Sequence, residues 1–278
     1  MKKVLLLLFA LLFSTLTFAQ KKEKIKGTKI VTVTQKEIEN FENLEVEDNI
    51  EIFLAKGGSQ SLEIEADDNL HETIKAEING TTLRLYTDKE VTGAKKLSVR
   101  VTYTDNLKSI TAKNEVTLNS LTDLQLENIT IKNLDYSKSY LNVKSANFTL
   151  IMNDKATAEL NFQGDNAIIE LSKSSQLKAL IAAGMSAKID LYQKTTAIIE
   201  GDATDAKIRV DNNASLTGKK FTAKNMQLTA EGYTNCNVNA TETITIAASG
   251  KAQVQLFGKP KVEVTNFADS ATIFKKEM

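Results

Sequence analysis

Apolar and polar residues alternate along most of the chain from Lys29 onward. An alternation of period two places one set of side chains on each side of a β-strand, so that one side is apolar and the other polar. The clearest examples are Leu44 and Val46; Ile50, Ile52 and Leu54; Leu97, Val99, Val101 and Tyr103; Phe148, Leu150 and Met152; Ile208 and Val210; and Val262 and Val264. The pattern predicts an all-β protein.

One segment, Asn69–Gly80, departs from this alternation. Its apolar residues Leu70, Ile74 and Ile78 are four positions apart, which is the spacing of one helix face. A capping-box offset at its start and an Asn-Gly pair at its end are typical helix start and stop signals. The segment is therefore predicted to form one short helix.

A short unit recurs in the second half of the chain. In each copy a small or turn residue is followed, about six positions later, by an apolar residue that closes a strand. The copies are Gly184–Leu191, Thr204–Val210, Gly232–Val238, Gly250–Leu256 and Phe267–Ile273, with starts 20, 28, 18 and 17 residues apart. Coils of this length cannot bury their inward side chains alone, but stacking them about 4.8 Å apart does so. We expect a parallel β-helix (a solenoid), with an antiparallel β-sandwich as the alternative.

Differences in composition and in the spacing of apolar residues divide the chain into four parts. Residues 1–19 combine two lysines, an apolar run and small residues before Gln20, and are predicted to be a cleaved signal peptide. The apolar run is too short for a membrane span, which needs about 20 residues. Residues 20–40 are a basic tail and a first strand. Residues 41–104 form a β-rich part that caps one end of the rod, and residues 105–278 form the coils.

The composition narrows the class of protein. The 278 residues include 35 Lys and Arg against 35 Asp and Glu, a balance that argues against a nucleic-acid binder. One Cys and one His are too few for a disulfide framework or a zinc cluster. Cys236 is far from the predicted signal, so it is not a lipid-anchor cysteine, and we expect it to be a small buried group. The prediction is an exported protein of the periplasm, the outer-membrane surface or the medium, without a membrane span.

Five stretches resemble the head GIN domain family of putative autotransporter adhesins, which is common among exported proteins of Bacteroidota. They are Phe41–Val46, Ile50–Gly57, Leu83–Leu85, Leu97–Ile110 and, as the best single fit, Ala248–Val264. The resemblance covers most of the chain after the predicted signal and implies a right-handed parallel β-helix. It brings no catalytic motif.

The coil turns depart from the pattern of that family. Where members usually read Ser-Gly-Ser-Gly, this chain has Asn153-Asp154-Lys155, Asp202-Ala203-Thr204 or Asn266-Phe267-Ala268. The sequence therefore leaves the register of the coils open.

Candidates for catalysis are few. Parallel β-helices include pectin-cleaving enzymes, which gather an Arg or Lys base and several Asp calcium ligands on one face, and Arg209 with Asp190 and Asp211 is the nearest equivalent here. We expect Arg209 to be an ordinary surface residue, since no calcium-loop motif accompanies it. Asp67 and Asp68 are interpreted as favourable charges at the start of the predicted helix. We expect no catalytic residue, no cofactor and no metal site.

Candidates for ligand contact are Tyr136, Tyr140, Tyr233 and Arg209. Aromatic rings are common platforms for sugars, although the more ordinary role of these tyrosines is to fill or line the coil. A run of lysines from Lys21 to Lys29 could touch an anionic polymer, but a solvated tail is the simpler interpretation. The sequence predicts a non-catalytic exported module of binding or adhesion type, whose partner is a glycan or another envelope or surface protein. The alternatives are a polysaccharide lyase or hydrolase and an envelope structural or assembly protein.

Overall fold

The computed structural model describes residues 22–277, and the predicted signal peptide lies outside them. The described chain is nearly all β. Its strands are β1 Lys24–Lys26, β2 Val31–Glu37, β3 Asn43–Val46, β4 Glu51–Lys56, β5 Ser61–Asp67, β6 Ile74–Asn79, β7 Thr82–Thr87, β8 Glu90–Thr92, β9 Leu97–Tyr103, β10 Ser109–Ala112, β11 Thr117–Ser120, β12 Leu124–Asn133, β13 Lys138–Met152, β14 Thr157–Leu171, β15 Gln176–Tyr192, β16 Thr196–Asp211, β17 Ser215–Ala230, β18 Asn235–Ala248, β19 Gln253–Gly258, β20 Lys261–Phe267 and β21 Thr272–Lys275.

These strands wind into a β-solenoid. Each turn, which we call a rung, adds one segment to each of two parallel ladders. In a central rung, Asn147–Met152 belongs to the first ladder and Thr157–Gly164 to the second. All strand pairs from β10 to β21 are parallel. The predicted parallel β-helix is confirmed, and the sandwich alternative is wrong because successive segments pair side by side in the same direction.

Each rung turns at the same place, between its first-ladder and its second-ladder segment. From the rung of β3 and β4 to the rung of β20 and β21, a residue with positive φ occupies this turn: Asp48, Asn114, Asp135, Asp154, Lys173, Lys194, Asn213, Gly232, Gly250 and Asp269. Asp, Asn and Gly tolerate that conformation better than other residue types, which explains their recurrence. The opposite corner has no such turn, and strands of 14 to 17 residues run through it.

The repeat seen in the sequence mixes two parts of the rung. The first two copies, Gly184–Leu191 and Thr204–Val210, lie on the first ladder, whereas the last three begin at the turn and continue on the second ladder. This shift explains the 28-residue gap between the second and third copies. Of the turns compared with the family pattern, Asn153-Asp154-Lys155 is a turn, but Asp202-Ala203-Thr204 lies inside β16.

The first rungs of the rod are out of chain order. The rung formed by β3 and β4 lies between the rung of β7 and β9 and the rung of β10 and β11. Strands β6 and β5 run antiparallel to β7 and β9, and β2 pairs antiparallel with β5. The β-rich part between residues 41 and 104 thus supplies two rungs and also covers one end of the rod.

The short helix predicted over Asn69–Gly80 is wrong. The structure has a single 3-10 turn, Asp68–Leu70, followed by β6, which forms an antiparallel hairpin with β7. Residues four apart lie on one face of a helix, but they also lie on one side of a strand, so the spacing of Leu70, Ile74 and Ile78 fitted both. The Asn-Gly pair is the hairpin turn, with φ of +61° at Gly80.

Asp67 does not cap a helix either. Its side chain is buried and accepts hydrogen bonds from the backbone N–H groups of Lys29, Lys95 and Lys96 at 2.8, 3.0 and 3.0 Å. Burial alone would raise the pKa of Asp67, but these donors outweigh it and the pKa is lowered. The carboxylate therefore ties the N-terminal segment to the loop before β9.

The lysines of the N-terminal segment are not a solvated tail within the described residues. Lys24 and Lys26 lie in β1, which pairs with β8. Lys22 Nζ is 2.7 Å from Asp48 Oδ2, and Lys24 Nζ is 2.9 Å from Glu90 Oε1. These ion pairs hold the segment against the first rungs.

The core is built from columns of inward side chains. One column of the first ladder runs through ten register-matched residues that are all buried: Leu83, Leu44, Ile110, Ile131, Leu150, Ile169, Ile189, Ile208, Leu228 and Ile246. Each side chain packs on its equivalent in the next rung, as expected for a repeat protein whose stability is a sum of nearest-neighbour terms. The predicted period-two alternation is the source of these columns.

An ion cluster joins the three out-of-order rungs. Arg84 on β7 is 2.8 Å from Glu47, which follows β3, and Lys113, which follows β10, is 3.3 Å from the same carboxylate. Partial burial would raise the pKa of Glu47, but hydrogen bonds and charge from Arg84, Glu45 and Lys113 outweigh it and lower the pKa to about 2. Glu47 is therefore ionised throughout the neutral and mildly acidic range.

This ion cluster makes the free energy of unfolding depend on pH. Because the folded pKa of Glu47 is depressed, its contribution is complete above the ordinary Glu range and is lost as the pH falls toward 2. We expect Glu47→Gln to lower the free energy of unfolding at pH 7 by ~2 kcal/mol. Between pH 5 and pH 2, the free energy of unfolding of the variant should fall less than that of the parent. Urea unfolding at several pH values measures this. Glu115→Gln, at an exposed carboxylate, is the matched control, and an equal loss in both variants would contradict the role of the cluster.

Candidate functional site

Two of the predicted ligand-contact residues, Tyr136 and Tyr233, occupy equivalent corners of the rod. Each follows the positive-φ residue of its turn, Asp135 or Gly232, and the corners at Asp154, Lys173, Lys194 and Asn213 lie between them. That separation is five rungs, or about 24 Å. Both rings are exposed, and Lys155 Nζ lies 5.0 Å from the centroid of the Tyr136 ring. They are too far apart to hold one small ligand together.

Arg209, the third candidate, is engaged by neighbouring side chains. Its Nη2 atom is 2.8 Å from Glu231 and 3.3 Å from Asp211, and its guanidinium lies 5.6 Å from the centroid of the Tyr192 ring. Burial would lower the pKa of Arg209, but the two carboxylates outweigh it and raise the pKa, so the side chain stays charged. Asp190 is level with Arg209 in the ladder and is 2.7 Å from Lys188. The predicted surface role of Arg209 fits this geometry.

Tyr140, the fourth candidate, points outward from the second ladder. In successive rungs its position is taken by Glu159, Lys178 and Ile198, which are paired with one another in register. We call this column of four outward side chains the Tyr140 ridge. Its length is three rung spacings, or about 14 Å.

A shallow trough lies on each side of the Tyr140 ridge. One, of about 210 Å³, is lined by the ridge and by outward side chains that include Thr157, Gln176 and Thr196. The other, of about 470 Å³, is lined by the ridge together with Asn119, Ser120, Asn142, Asn161, Leu180 and Glu200. The ridge and both troughs form one continuous ribbed surface on the second ladder.

Apolar groups on this surface are exposed to solvent. Tyr140 is 47% exposed, Leu180 51% and Ile198 39%. All three lie at outward positions, where the alternation calls for polar residues. Their cluster within four consecutive rungs is the kind of local apolar surface that marks a binding site on an otherwise polar face.

Around these groups the hydrogen-bonding side chains are held in fixed orientations. Asn161 Nδ2 donates to Asn142 Oδ1 at 2.8 Å, and the backbone N–H of Asn142 donates to Ser120 Oγ at 2.7 Å. A side-chain amide both donates and accepts, and pairing with the next rung leaves one edge of it free for a ligand. The surface therefore offers rows of neutral donors and acceptors beside exposed apolar groups.

Leu180 and Ile198 are not among the contacts predicted from the sequence. The signal was present, because apolar residues follow one another without alternation at 179–183 and 197–199. In such a run successive side chains point to opposite sides. Two such runs in neighbouring rungs, offset by two residues in register so that both Leu180 and Ile198 point outward, would have indicated an outward apolar patch.

The other potentially reactive side chains, Cys236 and His71, lie apart from the Tyr140 ridge. Cys236 is buried in the core, as predicted, and burial raises the pKa of its thiol to about 12. His71 is within hydrogen-bond distance of the hydroxyl groups of Thr32 and Thr34. Over residues 22–277, three or more His, Cys, Asp or Glu side chains nowhere gather in a group that could hold a metal ion. The same part of the chain contains no helix long and apolar enough to cross a membrane.

Comparison with known proteins identifies relatives of this architecture. Residues 40–260 match the family described as putative auto-transporter adhesin, head GIN domain. Among proteins of curated function, none matches the sequence.

Solved structures share the fold at low sequence identity. A crystal structure of a putative adhesin from Parabacteroides distasonis has a TM-score of 0.68 at 15% identity, over 91% of this chain and 100% of that one. A putative adhesin from Parabacteroides merdae gives 0.63 at 15%, over 91% and 99% of the two chains. A putative lipid binding protein from P. distasonis gives 0.61 at 13%, over 91% and 100%. At such identities the likeness shows the fold alone.

Proposed function

The chain belongs to the head GIN domain family of putative auto-transporter adhesins, and from this premise we propose that it is a non-catalytic exported binding module that holds an extended glycan on its second ladder. The observation that carries the proposal is the Tyr140 ridge with its two troughs. An aromatic ring and two aliphatic side chains are exposed there within four rungs, among neutral hydrogen-bonding side chains.

A polymer rich in hydroxyl groups fits this surface. Each hydroxyl group both donates and accepts a hydrogen bond, as do the amide side chains of Asn142, Asn161 and Gln176. The apolar face of a sugar ring can lie against Tyr140 or Leu180, which removes both from water. The troughs are open along the rod, so they suit an extended chain that continues past them.

A peptide ligand has less support on this face. Extended peptides usually add a strand to a free sheet edge, and the second ladder around Tyr140 is paired with neighbouring rungs on both sides. A polypeptide partner, as in an envelope assembly protein, would have to bind through side chains alone. The glycan is therefore the preferred ligand class, and the polypeptide is an outcome of the test.

The enzymatic alternative finds little in the geometry to favour it. Family members and solved relatives are described as adhesins or as lipid binding, not as enzymes. The guanidinium of Arg209 is held by two carboxylates and lies on the other ladder from Tyr140. A polysaccharide lyase needs its base beside the bound chain, and this arrangement separates the two.

A glycan array tests the proposal directly. The purified chain from Gln20 onward is applied to an array of cell-envelope and host glycans, and hits are quantified by calorimetry. We expect Tyr140→Ala to weaken binding about tenfold, or ~1.4 kcal/mol, because the ring is the largest apolar contact of the surface. Tyr140→Phe keeps the ring and should retain most of the affinity.

The matched control is Tyr233→Ala, which removes a more exposed ring at a corner outside the Tyr140 ridge. Its affinity should equal that of the parent. Equal losses in both variants would place the ligand elsewhere, and binding to no glycan would overturn the proposed ligand class. Shortening of any polymer during the assay would show that the protein is an enzyme.

A further inference from the structure

The two ends of the rod are covered differently. At the β7–β9 end, β5 lies against β9 and its apolar side chains Leu62 and Ile64 are buried. At the opposite end, β20 pairs with β18 on one side only, among the described residues. A strand with one unpaired edge presents free backbone N–H and C=O groups to any chain that can align with it.

The core is also open at this second end. Val262 and Val264 continue the columns of Ile244 and Ile246, and Phe267 continues that of Ala248. The three residues of the inner rung are buried, whereas Val262, Val264 and Phe267 are 46%, 48% and 56% exposed. Three inward-facing apolar side chains next to an unpaired strand edge form an exposed apolar surface that a further strand would bury.

We propose that a second copy of this chain pairs with this edge and covers Val262, through antiparallel pairing of the two β20 strands about a two-fold axis at Val262. In this register Lys261 of each copy stands opposite Glu263 of the other, and the two Val262 side chains meet on the axis. A two-fold interface needs a patch that is complementary to itself, and β20 has this property in both charge and apolar pattern.

The register follows from the pleat. Residues directly opposite in an antiparallel pair point to the same side of the sheet, so pairing Val262 with Val262 keeps both apolar sides on the core side. A slip by one residue would place Val262 opposite Glu263 and expose one apolar side to water. Centring the axis on Glu263 would bring two like charges together. Of the three registers about positions 262 and 263, only the axis at Val262 satisfies both conditions.

Charge reversal distinguishes this pairing from any other contact. In Lys261→Glu, two carboxylates face each other at each crossing, and in Glu263→Lys, two ammonium groups do. We expect each single variant to raise the dimer dissociation constant about tenfold or more, and the double variant Lys261→Glu, Glu263→Lys to restore the parental value. Sedimentation velocity of the chain from Gln20 onward, over a dilution series, measures the dissociation constants.

A cysteine placed on the axis tests the geometry. Opposite residues of an antiparallel pair have Cα atoms about 4.5–5.5 Å apart, within the range of a disulfide. Val262→Cys should therefore form a covalent dimer under copper-phenanthroline oxidation, whereas Thr217→Cys, exposed on the second ladder, should not. The native Cys236 is buried and stays out of the reaction.

Three results would overturn the proposal. The first is a chain that stays monomeric at the highest concentration. The second is a dimer whose dissociation constant is the same in both charge-reversal variants as in the parent. The third is cross-linking of Val262→Cys that is no faster than that of Thr217→Cys. Circular dichroism of each variant verifies that the rod is folded. The glycan assay is independent of this result, because the Tyr140 ridge ends four rungs, or about 19 Å, before β21.

Discussion

Gly201→Ala is expected to destabilise the rod by at least about 3 kcal/mol and to lower the yield of folded protein. Gly201 has a φ of +110°, a conformation that residues with a Cβ atom rarely adopt. A Cβ atom there would lie 2.0 Å from the carbonyl oxygen of Ile181 in the neighbouring rung. Because that oxygen is backbone within a ladder, relief of the clash requires the two rungs to move apart.

Gly184→Ala is the matched control for this prediction. It lies at an outer corner of β15, where an added Cβ would have its nearest neighbour, the carbonyl oxygen of Gly164, at an ordinary 3.6 Å. We expect its free energy of unfolding in urea to stay within ~0.5 kcal/mol of the parent. If Gly201→Ala lowered the free energy of unfolding as little as Gly184→Ala does, the strain at Gly201 would be relieved locally and the prediction would be wrong.

Phe148→Ala is expected to cost about 3–5 kcal/mol. The ring is buried and stacks on Phe162 of the same rung with 5.4 Å between centroids. It also lies in register with Ile129 and Ala167 of the two neighbouring rungs, so its removal opens a cavity that weakens both rung interfaces. A rung interface in the middle of the rod cannot be bypassed, since each rung contacts only its neighbours. Thermal unfolding should therefore shift to lower temperature or split into two transitions.

Hydrogen exchange locates the effect of Phe148→Ala. Backbone amides of β13 and β14 should lose protection first, before those of β18 and β19. Phe274→Ala, at a half-exposed ring near the open end, is the control and should change the transition little. Uniform loss of protection along the rod would show that it unfolds as one cooperative unit.

Local patterns predicted the strands and the core well. Period-two alternation is imposed by the pleat itself, so the inward columns could be read from the sequence, and Cys236 was correctly placed among them. The same patterns failed at Asn69–Gly80, where a four-residue spacing is compatible with a helix and with a strand, and pairing with β7 decided the outcome.

Part of the candidate site was also predictable. Tyr140 was identified as an exposed aromatic residue, but Tyr136, Tyr233 and Arg209 are not part of the ridge, because the winding of the chain places the two tyrosines at the corners and Arg209 on the other ladder. Leu180 and Ile198 join Tyr140 on one surface only through rung stacking. Residues 40 to 58 positions apart in sequence come to lie within four consecutive rungs.

The amino-acid sequence by itself determined that this protein is built from β-strands with one apolar side each, since alternation and recurring turn residues act over a few positions. The tertiary structure alone decided the order of the first rungs, the neighbours of each outward side chain and the uncovered edge of β20. These depend on which segments pair across dozens of residues, and the pairing is chosen by the combined burial of whole columns rather than by any local pattern.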